Sequence, residues 1–550
     1  MNRYIAHMFI VIVLLSAFFT ACQSVADVEL SFDDTADFEE WLADRDSWSL
    51  EDGHLRQPRG GFRGTCAFYP HVYTDGAIQV RFFIHPAGSG VKAPGLIYRA
   101  VDENSFYYIH FDSQNSQVVW VRKEPDKSWT PDNTHRHRPI QIQQEQWHSA
   151  RVEFEGDTHT VSLDDQELFT VRDDAYESGV VGLRAGQGDI AFDDFVVEGT
   201  DGGVDEGFSV TRPAWVEVCT DAGAGEYEAF PDICRTHDGE LLCVFYAGYR
   251  HVSLPNEEHP KGGRVSMVRS ADEGRTWSEP EIVVDTPLDD RDPSIAQLSN
   301  GDLLVSYFDR DPDRTPGARV FTVRSTDGGE TWGEPQHVPL PIDKEVASTA
   351  VSEPVTELDD GTLLLPVYFR YTDSQDPGTP CAVLRSEDMG KTWPEVAVLE
   401  PNRGQNLHEP SIEPLPDGRI YMLIRPTMDW SVSEDGGVTW SEPQELGFTG
   451  DAPNLLLTDD DILLAGFRHR PTRSTSVAWS ADYGQTWNGP KIIDRVIGGY
   501  PSFAQLHDGR VFMVYYTEGA GSDIRGVVLE VTEEGVTIAG QEKLTPQSTQ

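Results

Sequence analysis

S-A-D-E-G-R-T-W, Ser270 to Trp277, is the stretch whose recurrence decides the fold. It returns as S-T-D-G-G-E-T-W (Ser325–Trp332), S-E-D-M-G-K-T-W (Ser386–Trp393), S-E-D-G-G-V-T-W (Ser433–Trp440) and S-A-D-Y-G-Q-T-W (Ser480–Trp487). Within each copy the Asp can accept bonds from turn amides, the Gly can adopt positive φ, and the Trp can bury a broad apolar face. Five copies at this spacing mark a repeat architecture. Between the boxes lie apolar strand patterns joined by Asp238-Gly239, Asn300-Gly301, Asp360-Gly361, Asp417-Gly418, Asp459-Asp460 and Asp508-Gly509. Such dipeptides between two strand patterns signal hairpins. A proline precedes each turn: Pro231, Pro293, Pro354, Pro410, Pro453 and Pro501. Lacking a donor, proline suits the first residue of a strand. Six prolines, six turns and five boxes predict a six-bladed β-propeller over residues 208–540. The sixth blade has no box, so its outer strand is expected from Phe208–Val218, closing the ring.

The chain has 550 residues, too many for one core, so a further domain is expected beside the propeller. Residues 28–199 carry many short, evenly spaced strand patterns, predicting a β-sandwich. They include Gly76–Ile84, Gly95–Arg99, Phe106–Phe111, Gln117–Arg122, His148–Phe154, Thr158–Leu163, Glu167–Arg172 and Gly179–Arg184. The run from Gly95 to Gly199, with N-S-F-Y-Y-I-H-F-D and W-H-S-A-R-V-E-F-E-G-D, resembles the concanavalin/laminin-G-like jelly rolls attached to carbohydrate enzymes. That resemblance implies a glycan-binding module in which Tyr107, Tyr108, Trp120 and Trp129 could stack on sugars, and these aromatics also suit a sandwich core. Thr200–Gly207, T-D-G-G-V-D-E-G, reads as a linker. The class is all-β: a jelly-roll sandwich, then a propeller.

Arg3, the apolar run Met8–Phe19 and Thr20-Ala21-Cys22 read as a signal peptide over residues 1–21, too short to span a bilayer. Its end resembles the bacterial lipoprotein box. The resemblance implies cleavage before Cys22, lipid attachment to it, and a place in the cell envelope, periplasmic or surface-facing. With 92 acidic against 43 basic residues the formal net charge is -49. No basic stripe is present, so no nucleic-acid partner is expected. Five cysteines remain beyond Cys22, an odd number that argues against a full disulfide framework. Cys234 and Cys243 would face each other across a two-residue Asp238-Gly239 turn, as a bridge or as two packed thiols. No Cys/His spacing reads as a zinc site, and no metal or cofactor is expected.

In a propeller the innermost strands begin around the central axis, so residues beside the six prolines should meet at one mouth. Immediately before proline stand Phe230, Asp292, Glu353, Glu409, Ala452 and Tyr500; one place earlier stand Arg291, His408 and Asp451. The second strands end at the same face, contributing His251, Arg370, Arg425, Arg468 and Arg470. Acids, a phenol and guanidinium groups around one depression suit carbohydrate chemistry.

This arrangement resembles the sialidases (neuraminidases) with Asp-box or BNR repeats, over the whole propeller. Those enzymes hold a sugar carboxylate with three arginines, attack with a Tyr activated by a Glu, and use an Asp as acid and base. The resemblance implies Tyr500 in G-G-Y-P-S-F as nucleophile and Glu409 in H-E-P-S-I-E-P as its partner. Arg425 takes the second arginine position, and Arg470 lies close to the third, with Arg468 and Arg473 as competitors. Glu353 and His408 join the substrate-binding set. Two departures stand out. The family's Arg-Ile-Pro is Ala229-Phe230-Pro231 here, with Arg291 at the same pre-proline place one blade later. The blade-one loop Tyr249–Gly263 has no Asp, leaving Glu257, Glu258, His259 or Asp292 as acid. The function expected is exo-acting hydrolysis of a terminal acidic sugar, sialic acid or uronic-acid-like, on a glycan. Two alternatives keep the fold: a polysaccharide lyase or dehydratase acting on a uronate, and a non-catalytic glycan-binding lipoprotein.

Overall fold

The computed structural model describes residues 28–43, 47–57, 65–86, 92–125, 136–186, 188–212, 214–311, 313–314, 317–372, 378–518 and 522–546. The expected signal peptide (residues 1–21), Cys22 and Trp129 lie outside them. The described chain is strand and turn, with one short helix, Ala36–Glu39.

Six antiparallel sheets of four or five strands form the propeller. Their inner strands are Tyr227–Arg235, Asp289–Gln297, Val346–Ala350 with Thr356–Glu357, His408–Pro414, Gly450–Leu457 and Gly499–Gln505. The last blade is closed by Val216–Cys219, which pairs with Ile524–Thr532, so the start of the domain supplies the missing outer strand. Each box is a turn of fixed chemistry. Asp272 accepts from the Thr276 amide (2.9 Å) and hydroxyl (2.7 Å), and the Gly274 amide donates to Ser270 Oγ (2.9 Å). Gly274 has φ +84, and a Cβ there would stand 2.3 Å from the Phe512 ring of the neighbouring blade, so only glycine fits. Adjacent blades are also stitched near the axis: Asp232 accepts from the Ile295 amide (2.7 Å) and from Ser502 Oγ (2.6 Å).

Two local expectations change. The hairpins have three-residue loops: Thr236 N–H donates to Glu240 O, and Gly239 (φ +92) is the third loop residue. In blade five Asp461 (φ +61), not Asp460, takes that place. The left-handed third residue adds one position, and a one-residue slip turns every side chain to the opposite face. Cys234 therefore opposes Leu242, and Cys243 opposes Ile233. The two thiols pack in different clusters on opposite faces of blade one, and all five described cysteines are free. Nor do the prolines open the inner strands. Five of them sit inside the strands at bulges, where the register jumps between Ala229 and Asp232, Arg291 and Ser294, His408 and Ser411, Asp451 and Asn454, and Gly499 and Ser502, and Pro354 lies in the gap between Val346–Ala350 and Thr356–Glu357. A bulge leaves the missing N–H without a ladder partner to lose.

The sandwich is organised by two long strands, Thr65–Ile84 and Ile190–Val204, which pair with each other and carry the other strands. The first begins at Thr65 rather than Gly76. Tyr107, Tyr108 and Trp120 are buried in its core and cannot stack on a sugar. The expected linker is mostly strand: Asp201 pairs with Tyr73 and Val204 with His71. Polar composition hid it because a ladder needs only backbone groups. Phe208 is buried against Phe68 of the sandwich (ring centroids 5.1 Å apart), and Val210–Thr211 pairs with Lys543–Leu544, tying the propeller's entry to its exit.

Candidate active site

The bulges position the site. In five blades the residue before the proline has left-handed backbone: Phe230 (φ +53), Asp292 (+45), Glu409 (+48), Ala452 (+49) and Tyr500 (+46). None is glycine, and such backbone costs about 1–3 kcal/mol per residue. The inter-blade bonds and the following proline hold it. In blade three the ladder is interrupted between Ala350 and Thr356, and Glu353 occupies the gap.

Tyr500 Oη donates to Glu409 Oε1 at 2.6 Å. Burial raises the Tyr500 hydroxyl well above its ordinary pKa, and the Glu409 and Asp292 carboxylates raise it further, so the phenol keeps its proton until a base takes it. The other Glu409 oxygen meets Arg425 Nε at 2.6 Å and accepts from the Ala452 amide at 3.1 Å. Asp292 is buried, and burial pushes its carboxyl up to about 6 against the pull of Arg291. Arg291 lies 3.5 Å from Asp292 and 3.3 Å from Asp289, between the rings of Tyr246 and Phe230.

Arg425, Arg468 and Arg470 converge on one carboxylate, Asp451. Arg425 Nη1 stands 3.3 Å from it, Arg470 Nη2 2.7 Å and Arg468 Nη1 3.9 Å. Arg468 also donates to Gly498 O (2.5 Å) and Tyr516 Oη (3.2 Å). Glu353 lines a small axial cavity with Ser352, Ala452, Asn454 and Tyr500, and accepts from Asn454 at 3.0 Å. Its carboxyl is raised by burial. His408 bonds Thr379 Oγ1 (2.6 Å), and burial, with Arg425 and Arg370 nearby, lowers it to about 4, so it is neutral at pH 7. Glu258 stands exposed on the blade-one loop; its amide bonds Asn256 Oδ1 (2.9 Å), and no side-chain contact joins it to the cluster among the described residues. His259 of the same loop stacks on Tyr249.

Sequence reasoning placed His251 at the mouth but missed the group it joins, Tyr227, Tyr516 and Glu518. His251 Nδ1 lies 2.8 Å from Tyr227 Oη, which donates to Glu518 Oε1 at 2.9 Å. Tyr516 donates to the other Glu518 oxygen at 2.7 Å. Tyr227 has one hydrogen and gives it to Glu518, so His251 Nδ1 carries the proton in their contact. Burial opposes the Glu518 charge, but its bonds to His251, Tyr516 and Tyr227 prevail and hold it at about 2. The signal was present: Tyr516 ends the second strand of blade six, as Arg425 and His469 end theirs. Phe230, at the place of the family's arginine-following Ile, packs on His251 (5.3 Å) and Tyr500 (4.8 Å) and gives the mouth an apolar wall.

The arrangement offers a phenol with its base, a carboxylic acid neutral to about pH 6, and a guanidinium cluster. Residues 239–513, half of the chain, match the family model of the BNR repeat-like domain, and residues 27–198 match that of a 3-keto-alpha-glucoside-1,2-lyase-like domain. The chain is 24% identical over 254 residues to a sialidase of Bacteroides fragilis (strain YCH46), covering 40% of this chain and 44% of that protein. It is 29% identical over 238 residues to a sialidase of Micromonospora viridifaciens, covering 37% and 36% respectively. It thus spans less than half the length of these curated relatives. A solved structure of leech intramolecular trans-sialidase, complexed with 2,7-anhydro-Neu5Ac, is 13% identical, with a TM-score of 0.47 over 86% of this chain and 94% of that one.

Proposed function

The chain belongs to the BNR repeat-like domain family, within the sialidase superfamily, and on that premise we propose that it is an exo-acting, retaining glycoside hydrolase with Tyr500 as nucleophile. The observation that carries the reading is the 2.6 Å bond from Tyr500 to Glu409 at the mouth of the propeller. A phenol is a weak nucleophile until an adjacent base takes its proton. Tyr500 Oη attacks the anomeric carbon while its proton passes to Glu409 Oε1. The glycosidic oxygen leaves with a proton from Asp292, whose buried Oδ1 has Arg291 Nη2 3.5 Å away and no hydrogen-bond partner among the described residues. Water then cleaves the tyrosyl–sugar bond: its hydroxyl joins the anomeric carbon, its proton goes to the Asp292 carboxylate, and Glu409 returns a proton to Tyr500.

A terminal acidic sugar, expected from the arginines, would need its carboxylate seated among Arg425, Arg468 and Arg470, which in this structure surround Asp451. An anchor on Cys22 would put the reaction at a membrane surface outside the cytoplasm. Hydrolysis is tested by Tyr500→Phe, which should abolish turnover of any glycoside the wild type cleaves. Asp292→Asn should lose poor leaving groups far more than activated aryl ones. Full activity of Tyr500→Phe, or an unsaturated, ultraviolet-absorbing product, overturns the reading.

A further inference from the structure

We infer that the sugar bound in this pocket carries no carboxylate: the substrate class is a neutral terminal glycoside. The inference rests on the glycosidase reading and narrows its substrate. Every arginine deep in the mouth already faces an internal acid. Arg470 Nε lies 3.1 Å from both Asp451 oxygens and its Nη2 2.7 Å from one of them. Arg425 is shared between Asp451 and Glu409. Arg468 spends its other donors on Gly498 O and Tyr516 Oη. Arg291 is held by Asp289, by Asp292 and by the carbonyl of His251 at 2.5 Å.

Asp451 is no mobile rim group. It is buried, and it stands on the blade-five bulge next to the left-handed Ala452, so backbone geometry fixes it among the three guanidiniums. It occupies the space a guest carboxylate would need. An incoming anion would have to displace Asp451 and leave a buried carboxylate unpaired beside a like charge, which low-dielectric surroundings penalise twice. The blade-one position that could have added an arginine carries Ala229-Phe230, and Phe230 is buried against aromatic rings. Arg370 and Arg310 have no carboxylate partner among the described residues, but both are exposed on the rim. The net charge of -49 repels anions before contact. What the pocket offers instead is carboxylate oxygen as acceptor for sugar hydroxyls, and the Phe230 and Tyr500 rings for an apolar sugar face.

The test compares 4-nitrophenyl glycosides with one leaving group on the full chain: neutral hexosides, deoxyhexosides and N-acetylhexosaminides against glucuronides, galacturonides and N-acetylneuraminides. Turnover should be confined to the neutral set. In parallel, calorimetry with free glucuronate and N-acetylneuraminate should show no saturable binding to the wild type, while Asp451→Asn, which frees the arginines, should bind them saturably, at least about tenfold more tightly than the weakest affinity the measurement detects. Cleavage or saturable binding of a carboxylated sugar by the wild type overturns the inference, as does a folded Asp451→Asn with no gain. If Asp451→Asn does not fold, the wild-type binding measurement still decides. If no glycoside of either set is cleaved, the hydrolase reading is what fails, and the binding comparison separately decides the charge class.

Discussion

Glu409→Gln should uncouple the proposed nucleophile, Tyr500, from its proposed base while leaving the pocket's shape unchanged. Glu409 is 2% exposed and makes three contacts: Tyr500 Oη at 2.6 Å, Arg425 Nε at 2.6 Å and the Ala452 amide at 3.1 Å. Glutamine keeps the volume and one carbonyl oxygen, and because Ala452 and Arg425 share one Glu409 oxygen, that carbonyl serves both while the amide faces Tyr500. The negative charge and the capacity to accept the Tyr500 proton are lost. General base catalysis is worth about 10²–10⁴ in rate, or about 3–5 kcal/mol of barrier. Breaking a buried ion pair outright costs about 3–5 kcal/mol of stability. Arg425 keeps Asp451 at 3.3 Å, so the expected loss is nearer to about 2 kcal/mol, that of one hydrogen bond to a charged group. The assay is steady-state kinetics on a glycoside the wild type cleaves, beside urea unfolding of each variant. Groups acting as one unit are not additive, so Tyr500→Phe with Glu409→Gln should be no slower than Tyr500→Phe alone. A loss in kcat/KM under about tenfold for Glu409→Gln, or effects that multiply in the double variant, would refute the base assignment.

Stability should depend on pH through two opposed sets of acids. Burial pushes Asp292 up to about 6, Asp232 to about 7, and Glu228 and Glu413 to about 8. Folding makes these groups keep protons the unfolded chain has released, so their contribution is full below about pH 4 and is lost as pH rises through 6 to 8. Bonds from Thr276, Thr331 and Thr392 hold Asp272, Asp327 and Asp388 at about 2, and their contribution, present above about pH 4, is lost as pH falls through 2. Tm should peak between about pH 4 and 6, and a Tm that climbs from pH 6 to 8 contradicts this. Gly274→Ala meets the Phe512 ring at 2.3 Å and should cost more than about 2 kcal/mol, whereas Gly361→Ala, at the same φ of +84 with nothing within 4 Å, should cost only the left-handed penalty of about 1–2 kcal/mol. Denaturant melts giving equal costs would show that packing against the next blade is unimportant. Mild oxidation should leave the intact mass without the two-hydrogen loss of a Cys234–Cys243 bridge, because the thiols lie on opposite faces of the blade.

The repeats were legible because their chemistry is local. Asp272 bonds a Thr four residues on, and Gly239 closes a loop begun three residues earlier. The same locality explains the one-residue error at the hairpins: Asp-Gly announces a turn but does not say whether two or three residues make it. Proline announced a strand without a donor, and both a strand start and a bulge satisfy that. The left-handed residues before it carry side chains of every kind, Phe, Asp, Glu, Ala and Tyr, so no residue type betrayed the bend that aims them at the axis. Glu518 went unread for a simpler reason: it follows the second strand of blade six, whose end was not counted toward the mouth.

Taken alone, the amino-acid order determined six hairpin modules, their closure into a ring, the sandwich before them and the circle of residues beside the prolines. The modules and the circle follow from bonds and periodicities within a few dozen residues, whereas closure pairs Val216–Cys219 with the distant Ile524–Thr532 and was legible only because the repeats left one outer strand unaccounted for. Partnership across the ring was decided only by the tertiary structure. Tyr500 and Glu409 are 91 residues apart, Asn454 and Glu353 101. The sequence displays arginines and acids but not their pairing, and Asp451 looks no different from any other aspartate until blade five is set beside blade four. Electrostatic matching depends on distance in space, and only a closed ring fixes that distance.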